Sequence, residues 1–301
     1  MRYRNTTGLI TVDTVQLNTP QEPAQIIKGL HARQSRNGNT GDLELILNPN
    51  KYADTDQLFY RDTCVNNLEY MIDEMDISQF KISRVDLAYD TYAAGDYGLY
   101  CKLNRLLLSL IANKYKCDNA YASNDFWSDE VISMKIKSRQ FDIENYDKSL
   151  QEPDGRTTNR FEIRVKNIYI PDVLQAIAYA ENKALTILDK AVTKDNYNAV
   201  VDRFTYNILL KISGAEDKEE VNDILVSKSQ ILINSNQITQ IFEAVDYYNP
   251  AKKAERFINK KHIEKISFNM VKEYAEDIEK AIKNYHENIL NMSFFDQQIT
   301  A

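Results

Sequence analysis

Cysteine, histidine, glycine and proline are all scarce in this sequence of 301 residues, and the scarcity excludes several kinds of site. The three cysteines (Cys64, Cys101 and Cys117) share no C-x-x-C spacing, so the common structural zinc motifs are absent. An odd number of scattered cysteines also favours a reducing compartment, where disulfides are rare. The motif G-x-x-x-x-G-K-[ST] does not occur either, so the sequence predicts no P-loop.

Long apolar segments are missing as well. The longest apolar run, LLLSLIA at 106–112, is interrupted by a serine and is far shorter than the roughly 20 residues that span a bilayer. The first residues of the chain contain no apolar stretch of the kind found in secretion signals. These patterns predict a cytoplasmic protein with no membrane partner.

A net positive charge is also absent, because 37 Lys and Arg residues stand against 44 Asp and Glu residues, a formal net charge of −7. Proteins that bind nucleic acid through a large part of their surface are usually basic. Any contact with phosphate groups must therefore come from a local patch of lysine and arginine.

Two patterns of apolar spacing are present, and they meet near residue 170. The first part predicts strands at 8–18, 42–48, 79–92, 131–138, 140–148 and 159–167, and helices at 54–75 and 96–113. After residue 170 the spacing is helical almost throughout. We expect an α+β domain over 1–170, with helices on one face of an antiparallel sheet, followed by an all-helical domain over 171–301.

Charged side chains dominate one face of three of the predicted strands. In SRVDLAYD the alternation places Asp86 and Asp90 on one face, opposite Val85 and Leu87. The corresponding faces of the two later strands carry Asp142, Glu144, Tyr146 and Lys148, and then Arg160, Glu162, Arg164 and Lys166. One interpretation is a solvated sheet face with surface ion pairs, and the other is a convergent site.

A convergent site of this composition would suit metal-assisted phosphoryl transfer. Carboxylate oxygens are the ligands that Mg²⁺ or Mn²⁺ prefers, and the metal polarises a phosphate oxygen. A tyrosine hydroxyl can serve as the nucleophile, while arginine or lysine stabilises the negative charge that develops.

Three motifs occur in an order that resembles a known family. RVDLAYD (84–90), ISMKIKSRQFDIENYDK (132–148) and RFEIRVK (160–166) resemble segments of the rolling-circle replication initiators of Gram-positive plasmids and the related relaxases of conjugative elements. The family pattern is an R-x-D-x-x-x-D strand, a hairpin ending in Tyr-(Asp/Asn)-Lys, and an Arg-(Phe/Leu)-Glu strand. Ser138 stands where the family hairpin usually has a glycine. The resemblance covers about residues 80–170 and implies a nicking domain related to the HUH endonucleases.

The resemblance also implies a set of metal ligands. In this family acidic residues largely replace the histidine ligands of the HUH endonucleases, and this chain has no His-x-His pair. Asp86 and Glu162 would hold Mg²⁺ or Mn²⁺, with Asp90 or Glu144 as a third ligand.

The tyrosine of the hairpin motif would be the nucleophile. The resemblance implies that Tyr146 takes the 5′-phosphate of the nicked strand, while Lys148 and Arg160 contact phosphate. The residues that would hold the DNA backbone beside this site are Lys135, Lys137, Arg139, Arg164 and Lys166.

The function that the resemblance implies is initiation of rolling-circle replication. The substrate would be origin DNA, single-stranded or extruded as a hairpin, and the products a 5′-phosphotyrosine and a free 3′-OH. Unwinding would need a separate host helicase, and the helical part would recognise the origin or form a homodimer. The alternatives are a relaxase, a filamentous-phage-type replication endonuclease, a DNA-binding or adaptor protein that has lost catalysis, and an unrelated α+β protein with a polar face.

Several other residues allow two interpretations. Tyr169 and Tyr179 are rival nucleophiles or packing residues, and His31 is a surface or loop residue rather than a ligand. Asp13 is either a further site carboxylate or a charge that protects an edge strand. The basic stretch 249–262 is either a DNA-binding patch or a solvated helix face.

Overall fold

An antiparallel sheet of seven strands organises the part of the chain that the structure describes. The structure is a computed structural model, and it describes residues 9–33, 41–52, 61–92, 97–117, 133–148, 158–213, 220 and 268–299. The strands are β1 (Leu9–Thr19), β2 (Leu30–Arg33), β3 (Leu43–Leu47), β4 (Lys81–Tyr92), β5 (Ser133–Lys137), β6 (Phe141–Asp147) and β7 (Thr158–Ile170). The helices are α1 (Pro49–Tyr52), α2 (Arg61–Glu74), α3 (Tyr97–Tyr115), α4 (Val173–Ala191), α5 (Lys194–Ser213) and α6 (Phe268–Ile299).

The strand order is β2-β3-β1-β4-β7-β6-β5, so β4 and β7 lie at the centre. Residues directly opposite each other on antiparallel strands point to the same face. Leu87 is opposite Ile163 of β7, which is opposite Ile143 of β6, and all three are buried. One sheet face is therefore apolar along the three central motifs, and the expectation of a mixed α+β fold with an antiparallel sheet is confirmed.

Helices cover the apolar face. Tyr274 of α6 packs edge-on against Tyr89 of β4, with ring centroids 6.2 Å apart. Tyr115 of α3 packs in the same way on Phe141 of β6 at 5.2 Å. The other face of these strands carries the charged side chains, so the helices and the charges lie on opposite sides of the sheet.

The chain turns from β7 into α4 at the place where the helical pattern begins. Asp172 is the N-cap, and its Oδ1 accepts a hydrogen bond of 2.8 Å from the backbone N–H of Gln175. The buried stripe of α4 contacts β4 and β7, and α6 contacts β1. The division into domains at residue 170 stays a prediction, since residues 214–219 and 221–267 lie outside the described part, and with them the basic stretch 249–262.

Two features of the sheet are not indicated by the sequence pattern. The strand β2 has only four residues, one of which is His31. It forms the edge of the sheet beside β3. The strand β7 extends to Ile170 and contains a bulge opposite β4, where Asn167 and Tyr169 have φ values of 60° and 59°. Asparagine tolerates this left-handed conformation, whereas it is strained for a tyrosine.

Candidate functional site

The strand register brings the three charged motifs together on one face. Asp86 of β4 is opposite Arg164 of β7, and Asp90 is opposite Arg160. Glu162 lies between these two arginines in the alternation, and Tyr146 of β6 is opposite Arg160. We call this set, with Thr14, Asp13 and Arg84, the charged cluster. Side chains remote in sequence, such as Asp13 and Arg160 at a separation of 147 residues, thus become neighbours, because β1, β4, β7 and β6 are adjacent in the sheet.

The core of the charged cluster is buried, so the interpretation as a solvated face with surface ion pairs does not apply to Asp86, Asp90, Arg160 and Glu162. The exposed fractions are 2% for Asp86, 1% for Asp90, 0% for Arg160 and 2% for Glu162. Charged side chains are almost never buried to this extent unless they are paired. The pairing within the cluster therefore decides what each group can do.

Arg160 forms the closed end of the cluster. Its Nε and Nη2 donate to the two oxygens of Asp90 at 2.6 and 2.8 Å, and its Nη1 donates to Asp13 Oδ1 at 2.6 Å. Burial alone would lower the pKa of Arg160, but the hydrogen bonds and charges of Asp90 and Asp13 outweigh burial and raise it well above its ordinary value. This arrangement is a bidentate ion pair with a second carboxylate on its outer side.

Asp13 reaches Arg160 because of a bulge in β1. The register of β1 against β4 shifts between Val12 and Thr14, which makes Asp13 the extra residue. Beside this bulge β1 is paired with β4 and not with β3, whose pairing begins at Val15. Asp13 is therefore both a charge on a locally unpaired strand edge and a member of the cluster.

Asp86 lies at the other end and has a different set of partners. Its Oδ2 accepts hydrogen bonds from Thr14 Oγ1 at 2.5 Å and Arg84 Nη2 at 3.0 Å, and its Oδ1 lies 2.9 Å from Arg84 Nε. The Nε of Arg164 is 3.7 Å from Oδ2. Burial, and after it the charge of Glu162, raises the pKa of Asp86 to about 7, although Arg84, Thr14 and Arg164 oppose the rise.

Tyr146 and Glu162 form the centre of the cluster. The Tyr146 hydroxyl donates a hydrogen bond of 3.2 Å to Glu162 Oε2, while Glu162 Oε1 accepts from Arg164 Nε. Burial raises the pKa of Tyr146 far above its ordinary value, helped by Glu162 and Asp13 and opposed by Arg160. Tyr146 is therefore a neutral phenol, 8% exposed, whose proton points at a carboxylate that can accept it.

The donor set does not match a preformed metal site. Within the described ranges, no group of three or more histidine, cysteine, aspartate or glutamate side chains could hold a metal ion. The oxygens of Asp86 face Thr14 and Arg84, and those of Asp90 face Arg160. A metal ion would have to displace these cations, so Mg²⁺ or Mn²⁺ at Asp86 and Glu162 stays a prediction.

The outer strands carry a second row of ion pairs beside the cluster. Glu144 Oε2 lies 3.1 Å from Lys135 Nζ and 2.9 Å from Arg164 Nη2. Lys166 Nζ lies 2.8 Å from Asp142 Oδ1. The structure therefore places Glu144, Lys135 and Lys166 next to the cluster, but each is engaged in pairs within the protein.

The remaining predicted phosphate contacts lie at the rim. Lys137 ends β5, and Arg139 sits in the turn between β5 and β6, where both are exposed. Lys148 follows the last residue of β6 and is half-buried. Ser138 shapes this turn, since its Oγ accepts from the backbone N–H of Gln140 and of Phe141 and so holds the bend without the family's glycine.

The rival tyrosines lie outside the cluster. Tyr169 is 53% exposed on the bulge of β7, and Tyr179 is 45% exposed on α4. Both are too exposed to be core packing residues, and neither joins the charged cluster. Two partners of Asp86, Arg84 and Thr14, were not predicted from the sequence. The R-x-D motif could have indicated Arg84, because its arginine lies two residues before Asp86. Thr14 gives no signal of its own, because threonine is common in strands.

Comparison with known proteins adds little at this point. No family model and no curated protein matches the chain. The fold is similar to that of the rolling circle replication initiator protein from Geobacillus stearothermophilus, at 14% identity, 61% coverage of this chain, 85% coverage of that chain and a TM-score of 0.32. A likeness of this degree is distant and carries no functional argument, so the function has to be inferred from the charged cluster.

The sequence predicts no membrane partner, and the length and apolar character of the described helices can be compared with that prediction. None of them combines the length and the apolar character that crossing a bilayer requires.

Proposed function

We propose that this protein nicks one strand of DNA at a replication origin through Tyr146 and remains joined to the 5′-phosphate. The observation that carries the proposal is the hydrogen bond from the Tyr146 hydroxyl to Glu162, in a cluster that also contains Arg160 and Arg164. A phenol, a base and fixed positive charges are the groups that a phosphodiester transesterification needs. The order of the three sequence motifs supports the choice of DNA as the substrate.

The proposed step exchanges one phosphoester bond for another. The Tyr146 oxygen attacks the phosphorus, the bond from phosphorus to the 3′-oxygen breaks, and a tyrosine–phosphate bond forms. The phenol proton passes to Glu162 Oε2, which lies 3.2 Å away, and is then available to the departing 3′-oxygen. The positive charges of Arg160, which acts on Tyr146, and of Arg164, which pairs with Glu162, would stabilise the charge on the phosphate oxygens.

Access of DNA to Tyr146 is a requirement of this proposal. Only 8% of its side chain is exposed, so the structure around the hydroxyl must open before a phosphodiester can reach it. The exposed Lys137 and Arg139 at the rim would give the strand its first phosphate contacts. No step is assigned to a metal ion, because the carboxylates of the cluster face arginine and threonine.

The test is covalent capture of DNA. Single-stranded fragments that tile the DNA element encoding the protein, labelled at their 3′ ends, are incubated with it in Mg²⁺, in Mn²⁺ and in EDTA. Denaturing electrophoresis then detects any labelled adduct. We expect an adduct with the unaltered chain and with Tyr169→Phe and Tyr179→Phe, and none with Tyr146→Phe. An adduct that survives Tyr146→Phe would overturn the assignment of the nucleophile.

A second candidate is a DNA-binding or adaptor protein that keeps this scaffold without catalysis. The observation that favours it is that arginine or lysine already pairs with Asp86, Asp90, Glu144 and Glu162. Binding of the same fragments without any adduct, measured by fluorescence anisotropy, would support this candidate. Absence of both binding and adduct would overturn both candidates.

A further inference from the structure

A cavity of about 500 Å³ lies between the C-terminal end of α3 and the first half of α5. Two helical stripes line it, because residues three and four positions apart share one face of a helix. The stripe of α3 is Ser109, Ala112, Asn113 and Lys116, followed by Cys117, and the stripe of α5 is Val200, Arg203 and Phe204. The cavity lies on the helix-covered side of the sheet, away from the charged cluster, so it is a separate site.

The lining of the cavity is cationic and partly apolar. Lys116 and Arg203 supply two positive charges, and no aspartate or glutamate is among the described residues that line it. Ala112, Val200 and Phe204 supply an apolar wall. Small-molecule sites typically have this size and this combination of an apolar surface with a few convergent polar groups.

Hydrogen bonds hold the polar side of the cavity in place. Arg203 Nη2 donates to Asn113 Oδ1, and Asn113 Nδ2 donates to Asn196 Oδ1 at 2.7 Å. Asn196 is itself fixed by its Nδ2, which donates to the backbone carbonyls of Leu110 and Ala191 at 2.9 and 2.7 Å. The guanidinium of Arg203 therefore has a defined position at the wall and keeps other N–H donors for a ligand.

Lys116 occupies a backbone position that usually belongs to glycine. Its φ is 50°, and the backbone N–H of Cys117 donates to the carbonyl of Ala112 at 3.1 Å, as in a helix C-terminal cap. A lysine in this left-handed conformation is less favourable than glycine. Its side chain is exposed and makes no hydrogen bond or ion pair with another residue of the described ranges.

We propose that this cavity binds a small organic anion that joins a phosphate group to a flat ring, the chemistry of a nucleoside monophosphate. Lys116 and Arg203 bind the phosphate, and the ring stacks on Phe204. The proposal follows from the cavity alone and does not depend on a nicking activity.

The first test is isothermal titration calorimetry of the full chain with the four common nucleoside monophosphates, with adenosine and with inorganic phosphate. We expect at least one monophosphate to bind, and to bind about tenfold or more tightly than adenosine or phosphate. The reason is that the phosphate group and the nucleoside ring of the ligand each contribute part of the binding free energy. No binding of any monophosphate at millimolar concentration would overturn the proposal. Equal binding of adenosine or of phosphate alone would overturn it as well.

The second test separates a binding role of Lys116 from a structural one. Lys116→Gly removes the ammonium group and also relieves the left-handed backbone, so the melting temperature should be maintained or rise. The affinity for the monophosphate should nevertheless fall about tenfold, as it should in Arg203→Ala. Lys114→Ala is the matched control, since Lys114 is an exposed lysine of the same last turn that does not line the cavity. Unchanged affinity in both Lys116→Gly and Arg203→Ala would overturn the assignment.

Discussion

The two ends of the charged cluster contain the same kind of group, a buried aspartate, with two different sets of partners. Asp86 and Asp90 are on the same face of β4 and are about equally buried, at 2% and 1% exposed. Asp90 accepts from Nε and Nη2 of Arg160. Asp90 and Asp13 raise the pKa of that guanidinium well above its ordinary value, although burial opposes the rise. Asp86 is contacted by Arg84 and Thr14, lies near the charge of Glu162, and has a pKa raised to about 7, mainly by burial.

Equal burial therefore does not give the two carboxylates the same environment, because their partners differ. The planar guanidinium of Arg160 forms two parallel hydrogen bonds with the two oxygens of Asp90. These bonds offset the free energy that is lost when both charges are removed from water. At Asp86 a second carboxylate competes for Arg164, which contacts both Glu162 and Asp86. The Asp90 end is therefore a bidentate ion pair with one guanidinium, whereas the pKa of Asp86 is raised into the neutral range.

The largest expected effect is at the fixed pair. Asp90→Ala leaves the fully buried guanidinium of Arg160 with only the partner at Asp13. We expect the free energy of unfolding to fall by about 3–5 kcal/mol, because a buried charge loses its main partner. Urea unfolding followed by far-UV circular dichroism measures this difference.

The control for this prediction removes both charges at once. The double variant Asp90→Leu with Arg160→Met leaves no unpaired buried charge at these positions, so it should recover much of the lost stability. A loss below about 1 kcal/mol in Asp90→Ala is typical of an exposed ion pair, and it would contradict a buried ion pair between Asp90 and Arg160.

The next effect is a pH dependence that belongs to Asp86. Its pKa is about 7 in the folded protein and its ordinary value is 3.8, so the folded state binds the proton more tightly. This contribution to stability is fully present below about pH 4 and is lost as the pH rises to about 7, at up to roughly 1.4 kcal/mol per pH unit. The Asp86→Asn variant should lack this part of the pH dependence, measured as the free energy of unfolding from pH 4 to pH 8. Equal slopes in the two proteins would contradict the raised pKa.

A smaller effect on stability is expected at the centre of the cluster. Tyr146→Phe removes the hydroxyl that donates to Glu162 Oε2, while Arg164 still donates to Oε1. We expect a loss of about 1 kcal/mol, which is typical for one hydrogen bond of a buried side chain. Thermal unfolding measures it, and a much larger loss would mean that the missing adduct of this variant reflects misfolding and not the loss of the nucleophile.

The smallest effect is expected in the outer row of ion pairs. Lys135 and Glu144 are partly exposed, and Glu144 keeps its contact with Arg164 when Lys135 is removed. Lys135→Ala should cost less than about 1 kcal/mol, and the difference from the unaltered chain should shrink in about 1 M NaCl because salt screens exposed charges. A loss as large as that of Asp90→Ala would place Lys135 inside the cluster.

Much of the sheet could be predicted from the sequence because its strands alternate strictly. The alternation in RVDLAYD and RFEIRVK gives both the apolar face and the charged face, since a side-chain period of two leaves no other choice. The helical spacing after residue 170 likewise predicted α4, whose N-cap Asp172 is seen only in the structure. The short β2 could not be predicted, because four residues carry too little periodicity and are held by pairing with β3.

The site could be predicted only in part. The local pattern placed Asp86, Tyr146 and Glu162 on the polar faces of their own strands, but did not establish that these strands are neighbours or that the shared face is buried. The bulge that turns Asp13 toward Arg160 depends on how β1 pairs with β4, which is set by contacts remote in sequence. The cavity between α3 and α5 was not anticipated, because its lining comes from two helices that meet only in the folded protein.

The sequence by itself determined which side chains share a strand face or a helix face, because those relations depend on the periods of 2.0 and 3.6 residues. These periods indicated the polar face of each of the strands β4, β6 and β7, but not which of these faces would meet. Only the tertiary structure decided that Asp90 is locked to Arg160 while Asp86 is not, since both depend on partners from other strands. The physical reason is that the charge state of a buried carboxylate depends on the position of its neighbours within a few ångströms, which sequence spacing does not specify.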